Sequence, residues 1–462
     1  MIELKAWEME RSLRDSALPD INYVSDWGNV RVLQDAYDMV IKSFWSSRVP
    51  GSGAPEHLIV GAVQAVENMG RDVSAAEMLL TIGMDALQSN DISLLREITS
   101  RIFYELELAP VLMKHPYHDF AHPMLWKEIS ADFPRKRYEF DRKVLEDKVY
   151  GGWIGQISGA SMGTAIEGYM HENLVKVFGD RLGKFIKEPD THNDDITYEI
   201  AFLLALEENG RSVSSDAVAM KWISYIPFGW SAEYIAMENI KRGVFPPLSG
   251  SFFNPFREWI GAQMRCMVEG FVAPADPYEA ARVAYLDAII SHSSNGVYGG
   301  IHSAVLTSLA FALDDPREIV LESLKYIPRK TEFRCVVEDV VKWCKNSNSW
   351  LDVYEQVRER FLRYNWIHLY PNTASVITSL WFGDGDFDRT MEIVASFGYD
   401  VDCNAGEVGS VLGAMLGLGG IDIGWYEHFG DILNTYMDGM ESISIYEFLV
   451  KKTLRCIELL ES

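Results

Sequence analysis

Apolar residues along this chain recur mostly at three- and four-residue intervals, the spacing that gathers side chains on one face of a helix. In ITYEIAFLLALE (196–207), Ile196, Ile200, Leu203 and Leu204 form such a face, and Asn209-Gly210 ends it. The same period predicts helices over 59–68, 75–88, 277–292, 301–313, 334–345, 373–382 and 444–460. Alternating runs closed by hairpin turns are scarce, so the pattern predicts a nearly all-α protein. No period of 20–50 residues recurs, which argues against a solenoid. A highly charged stretch, PRKRYEFDRKVLEDK (134–148), separates two apolar regions. We therefore expect an N-terminal helical accessory region over 1–133 and a charged connector over 134–148. A main domain over 149–462 then holds every acid-rich or glycine-rich cluster considered below.

Composition narrows the function. Of 462 residues, 48% are apolar and 12% aromatic, enough to bury a large core. Asp plus Glu is 67 against 42 Lys plus Arg, a formal net charge of −25. Such a surface repels phosphate backbones and disfavours general nucleic-acid binding. The five cysteines (Cys266, Cys335, Cys344, Cys403 and Cys456) are far apart and lack a C-x-x-C pair. That excludes a cysteine zinc site and a disulfide framework, and points to a reducing compartment. The first residues are charged, unlike a signal peptide, and no run of about 18 apolar residues would span a membrane. The expected setting is cytoplasmic.

Two segments carry glycines four apart: Gly151, Gly155, Gly159 and Gly163, then Gly409, Gly413 and Gly417. Each interior glycine costs about 1 kcal/mol of helix stability relative to alanine. Close approach of another helix, or of a ligand, along the bare ridge would offset that cost. Two acid clusters stand out beside them, Asp190-Thr191-His192-Asn193-Asp194-Asp195 and Asp400-Val401-Asp402-Cys403-Asn404. Adjacent carboxylates repel unless a cation neutralises them, and hard oxygen donors on two loops suit Mg²⁺ or Mn²⁺ rather than zinc. Helix capping competes with this reading, with Asp195 as an N-cap and Asn404–Glu407 as a capping box. An EF-hand is excluded: after Asp400, Asp402 and Asn404, the sixth and twelfth places hold Ala405 and Val411. His115, His118 and His122 near an Asp read better as a surface turn than as a metal site.

Together these pieces resemble the ADP-ribosylglycohydrolase family of all-α hydrolases, in order over about 149–425. KVYGGWIGQISGASMGTAIEG is similar to the family's glycine helix that ends in a glutamate, and NDDIT to its Thr/Ser-Asp-Asp-Thr metal motif. DAIISHSSNGVYGG is similar to the segment with a Ser/Thr-His pair, and GYDVDCNAGEVGSVLGAMLG to G-x-D-T-D-T-N-A-x-x-x-G-x-x-x-G. HLYPNTASVITSLWFGDGDF precedes the last motif as in larger bacterial members.

The resemblance implies an orthogonal helical bundle with an N-terminal helical extension. It also implies a cleft binding one or two Mg²⁺ ions, or Mn²⁺ in their place, beside a ribose. Residue by residue it implies Asp194 and Asp195 as ligands from one loop, with Asn193 where the family has a hydroxyl. From the other loop it implies Asp400 and Asp402, with Cys403 where the family has threonine. Ala160 and Ile196 are further departures, replacing an aspartate and a threonine. Glu167, Asp195 and Asp402 would take the catalytic roles, and His292, Asn295 and Gly296 would lie near the substrate. Asn254 is a further substrate-binding candidate and Arg265 a phosphate-binding one, each equally readable as structural.

The implied reaction is Mg²⁺-dependent hydrolysis of an ADP-ribosyl, or related ribosyl, N- or O-glycosidic bond. Its substrate would be an ADP-ribosylated protein or a small ADP-ribose-type molecule. The alternatives are a non-catalytic ADP-ribose- or nucleotide-binding protein of the same fold, and a two-metal nucleotide phosphoesterase.

Overall fold

Two glycine-ridged helices, Leu145–Gly163 and Val401–Leu416, form the centre of a computed structural model that describes residues 5–25 and 27–462. Every residue from Gly151 to Gly163 and from Val401 to Met415 is buried. The helices run antiparallel with their ridges in contact. A Cβ on Gly155 would land on the Gly409 carbonyl, one on Gly159 on that of Ala405, and one on Gly151 only 2.5 Å from the Gly413 oxygen. Ordinary C···O contacts need about 3.3–3.6 Å, so only glycine lets these backbones meet. A partner helix, not a ligand, offsets the glycine cost.

Other helices enclose this pair. Phe387–Phe397, Leu369–Gly383 and Asn295–Leu309 pack on Val401–Leu416, while Lys451–Glu461 touches both Leu145–Gly163 and Asp194–Asn209. Strands among the described residues are three short antiparallel pairs: Ser47–Arg48 with Pro55–Glu56, Tyr169–Met170 with Gly398–Tyr399, and Ile432–Asn434 with Ser442–Ser444. The fold is all-α, as the periodicity predicts. The tail departs slightly, because 445–450 forms a π-helical turn before Lys451–Glu461.

One continuous apolar core runs from Ile41 to Leu460 and includes the helices Leu58–Asn68, Ser74–Gln88 and Ile92–Leu108. From Ile41 onward the N-terminal region is therefore packed onto the body. Gln64 Nε2 donates to Arg363 O at 2.8 Å, and the Tyr117 hydroxyl donates to Glu258 at 2.7 Å. The three neighbouring histidines face different partners: His118 Nε2 meets Gly70 O, His115 accepts from Tyr117 N, and His122 Nδ1 meets Ser294 Oγ. Their turn stitches segments together and converges on no metal position. The connector is strapped down as well. Tyr138 N donates to Ala275 O at 2.8 Å, and Arg137 and Arg142 both reach Glu461 in the last helix.

Candidate active site

The two acid-bearing turns meet at one end of the glycine pair. Gly163, which closes the first helix, lies against the backbone of Asp402, and Ser161 Oγ accepts from Asp190 N at 3.0 Å. Direct contacts join the turns: Asn193 Nδ2 donates to Asp402 Oδ2 at 3.3 Å, and the Cys403 thiol donates to Asp195 Oδ1 at 3.5 Å. Two helix N-termini, of Asp194–Asn209 and Val401–Leu416, thus point at one volume, and their dipoles favour negative charge there.

The capping alternative fails on geometry. The N-caps are Asn193 and Asp400, and neither side chain makes a capping bond. Asp195 is the second helical residue, and Asn404 lies inside a helix that has already begun at Val401. Glu407, expected to close a capping box, instead accepts from Gln263 Nε2 at 2.6 Å.

Four oxygens remain without a partner in this buried place: Asn193 Oδ1, Asp195 Oδ2, Asp400 Oδ1 and Asp402 Oδ1. A buried polar atom without a hydrogen bond costs about 1–3 kcal/mol, more if charged. Four from two turns, all hard donors, form a set that a Mg²⁺- or Mn²⁺-like cation would satisfy. Cys403 Sγ lies within 4.8 Å of the Asp400 and Asp402 oxygens, but sulfur is a poor donor to such ions.

The electrostatics agree. Burial, then repulsion from neighbouring aspartates, pushes Asp195 and Asp402 well above the usual carboxylate range. Burial raises Asp400 to about 6. Asp194 differs from these three in being reached by solvent although protein crowds its carboxylate. Glu167 has the same character, and it lies beyond the first helix rather than at its end, since that helix closes at Gly163. Burial and repulsion from Asp402, Asp400, Asp194 and Asp195 raise its pKa far above normal, so it stands within electrostatic reach of the cluster.

The remaining candidates are held by other parts of the protein. Asn254 Nδ2 donates to Ala232 O and Ser291 O, and its oxygen accepts from Phe256 N. Asn295 likewise bonds Glu258 and Phe333 N. Both are fully buried, and their amides bond protein atoms. Gly296 has no room for a Cβ against the Arg257 carbonyl and His292. His292 keeps a buried Nε2 without a partner, while its Nδ1 meets Ser291 Oγ at 2.7 Å.

Arg265 does not reach for phosphate. It is buried between Asp287, at 2.5 Å, and Glu233, at 2.8 Å. Burial raises Glu233 and Glu56, and each is also repelled more weakly by a cluster aspartate, Asp194 and Asp400 respectively. Sequence reasoning missed both glutamates, because neither sits in an acidic run.

The architecture defines an all-helical protein with buried acidic groups gathered at one end of two closely packed glycine helices. Its family follows from a direct match: the model for ADP-ribosylglycohydrolase covers residues 141–452, about two thirds of the chain, and the protein belongs to that family. A solved structure described as an ADP-ribosylglycohydrolase-related protein complex is similar in fold. Its TM-score is 0.51 at 16% sequence identity, over 69% of this chain and 99% of that one. No curated protein matches the chain. Among the described residues, no helix is long and apolar enough to cross a membrane.

Proposed function

We propose that this cleft hydrolyses an ADP-ribosyl, or closely related ribosyl, N- or O-glycosidic bond with Mg²⁺ or Mn²⁺. The observation that supports this most is the convergence of two remote acid turns on four unpartnered buried oxygens. Asp194, Asp195, Asp400 and Asp402, with the Asn193 oxygen, would hold one or two ions. When bound, such an ion fixes ribose hydroxyls and a water, and lowers that water's pKa.

The chain's own groups supply the rest. Burial and the surrounding aspartates disfavour the charged form of Glu167, which suits it to give a proton to the leaving nitrogen or oxygen and then take one from the incoming water. Asp195 and Asp402, as holders of the ion, would orient that water, and its proton would pass to Glu167. Helix N-termini and cations together reverse the local field, which lets so acidic a protein accept a pyrophosphate.

One observation favours a second reading, binding without turnover. The Cys403 thiol sits where an oxygen donor is expected and bonds Asp195. Incubation with ADP-ribosylated peptides separates the readings. Free ADP-ribose released only with Mg²⁺, and lost in Asp402→Ala, supports the hydrolase. Ligand-induced thermal stabilisation without product supports the binder, whereas AMP or inorganic phosphate as product would replace both with a phosphoesterase.

A further inference from the structure

The N-terminal region touches the segment that bears Glu167. Beyond Gly163 the chain turns irregularly through 164–168, then pairs Tyr169–Met170 with Gly398–Tyr399 just before Asp400. On that side Gly168 N donates to Tyr399 O at 2.9 Å. The opposite side is covered by the loop from Ser47 to Glu56. Gly51, at φ +81°, lies so close to Thr164 that a Cβ would meet its side chain and stand 2.9 Å from its carbonyl. A Cβ on Gly168 would stand 2.8 Å from the Ala54 methyl. The Tyr169 hydroxyl donates to Ser52 O at 3.4 Å, and Lys187 Nζ donates to Gly51 O.

Glu56 closes the base of this loop. Its Oε2 accepts from Ser47 Oγ at 3.1 Å and from Trp230 Nε1 at 3.0 Å, tying the loop to the body. The side chain is buried, and Val49 N to Ala54 O at 2.9 Å completes the turn.

Glu167 needs such support. Its own segment, 164–168, lies outside any helix and so does not hold it in place by itself. Misplacement of a reacting group by about 1 Å can cost about 100-fold in rate. We propose that the Ser47–Glu56 loop is a positioning element of the active site, clamping 164–169 so that Glu167 faces the acid cluster, with Glu56 as the residue that fixes the loop. The role of Glu167 here rests on the functional reading above; the clamp itself does not.

The test compares Gly51→Val, Glu56→Ala and Glu56→Gln by steady-state kinetics, circular dichroism and hydrogen exchange of the Ile166 and Gly168 amides. Gly51→Val and Glu56→Ala should lower kcat by about 10-fold or more, move KM less than about 3-fold, and speed exchange at 164–169 with helix content unchanged. Glu56→Gln should stay within about 3-fold of the parent kcat, since its amide oxygen still accepts both bonds. Unchanged exchange at 164–169, or faster exchange with unchanged kcat, overturns the proposal. So does a Glu56→Gln as impaired as Glu56→Ala. If the parent protein releases no ADP-ribose, the functional reading falls, and exchange at 164–169 decides the clamp alone.

Discussion

Replacing Gly155 by alanine sets two effects of opposite sign against each other. Helix propensity alone makes alanine the better residue by about 1 kcal/mol. The new methyl, however, would fall on the Gly409 carbonyl, and at the looser Gly151 step a Cβ would already stand 2.5 Å from Gly413 O. Reaching ordinary contact requires the helices to part by about 1 Å. A gap of about 0.5–1 Å forfeits a quarter to a half of each attractive contact along the seam, and overpacking of a filled core typically costs about 1–3 kcal/mol. We expect Gly155→Ala to destabilise the protein by about 2 kcal/mol despite its propensity. Gly406→Ala, on the second ridge helix, is the control. Its Cβ would find only ordinary contacts, at 3.7 Å from Ala160 and Gln156, so the propensity gain of up to about 1 kcal/mol should appear. Urea denaturation of the two variants beside the parent measures both signs. Stabilisation by Gly155→Ala, or equal shifts of the same sign, would refute the backbone-contact account.

Three further outcomes are expected. With cations removed, the melting temperature should rise on acidification from about pH 8 to about pH 5. Asp400 is raised to about 6 from an ordinary value of about 3.9, so the stability of its protonated form is full below about 4 and is lost as pH climbs through about 6. Saturating Mg²⁺ should flatten this dependence, and an identical slope with and without the ion would speak against cation binding at the cluster. Arg265→Met leaves Glu233 and Asp287 buried without their cation, which should cost about 3–5 kcal/mol by chemical denaturation; a loss below about 1 kcal/mol would contradict the assigned pairing. Cys403→Thr exchanges a soft donor for a hydroxyl, so calorimetry should show Mg²⁺ binding at least as tight as in the parent, and weaker binding would show that the sulfur contributes.

The helical period and the glycine spacing were legible because both are local: each is written within one turn or two of the chain. The two acid turns could be joined only through the family resemblance, since Asn193 and Asp402 are far apart in sequence. Local capping rules misassigned Asp195 and Asn404, because they cannot register that the helix starts at Asp194 in one case and at Val401 in the other. The helix Ile92–Leu108 was not singled out; its buried positions, Leu95, Ile98, Ile102 and Leu106, are diluted by charged neighbours. Bonds such as Tyr117 to Glu258, or Glu56 to Trp230, leave no trace in either partner's neighbourhood. Arg265 appeared free for an anion because its two carboxylate neighbours lie on other helices.

The strapped connector bears on the order in which the molecule is assembled. A ribosome releases the segment from Ile41 to Phe133 well before the surfaces it rests on, around Glu258, Ser294 and Arg363, and the connector before Glu461, which Arg137 and Arg142 grip. The early segment must therefore wait, partly uncovered, until residues through Arg363 emerge to receive it, and the connector waits longer still, until Glu461 does.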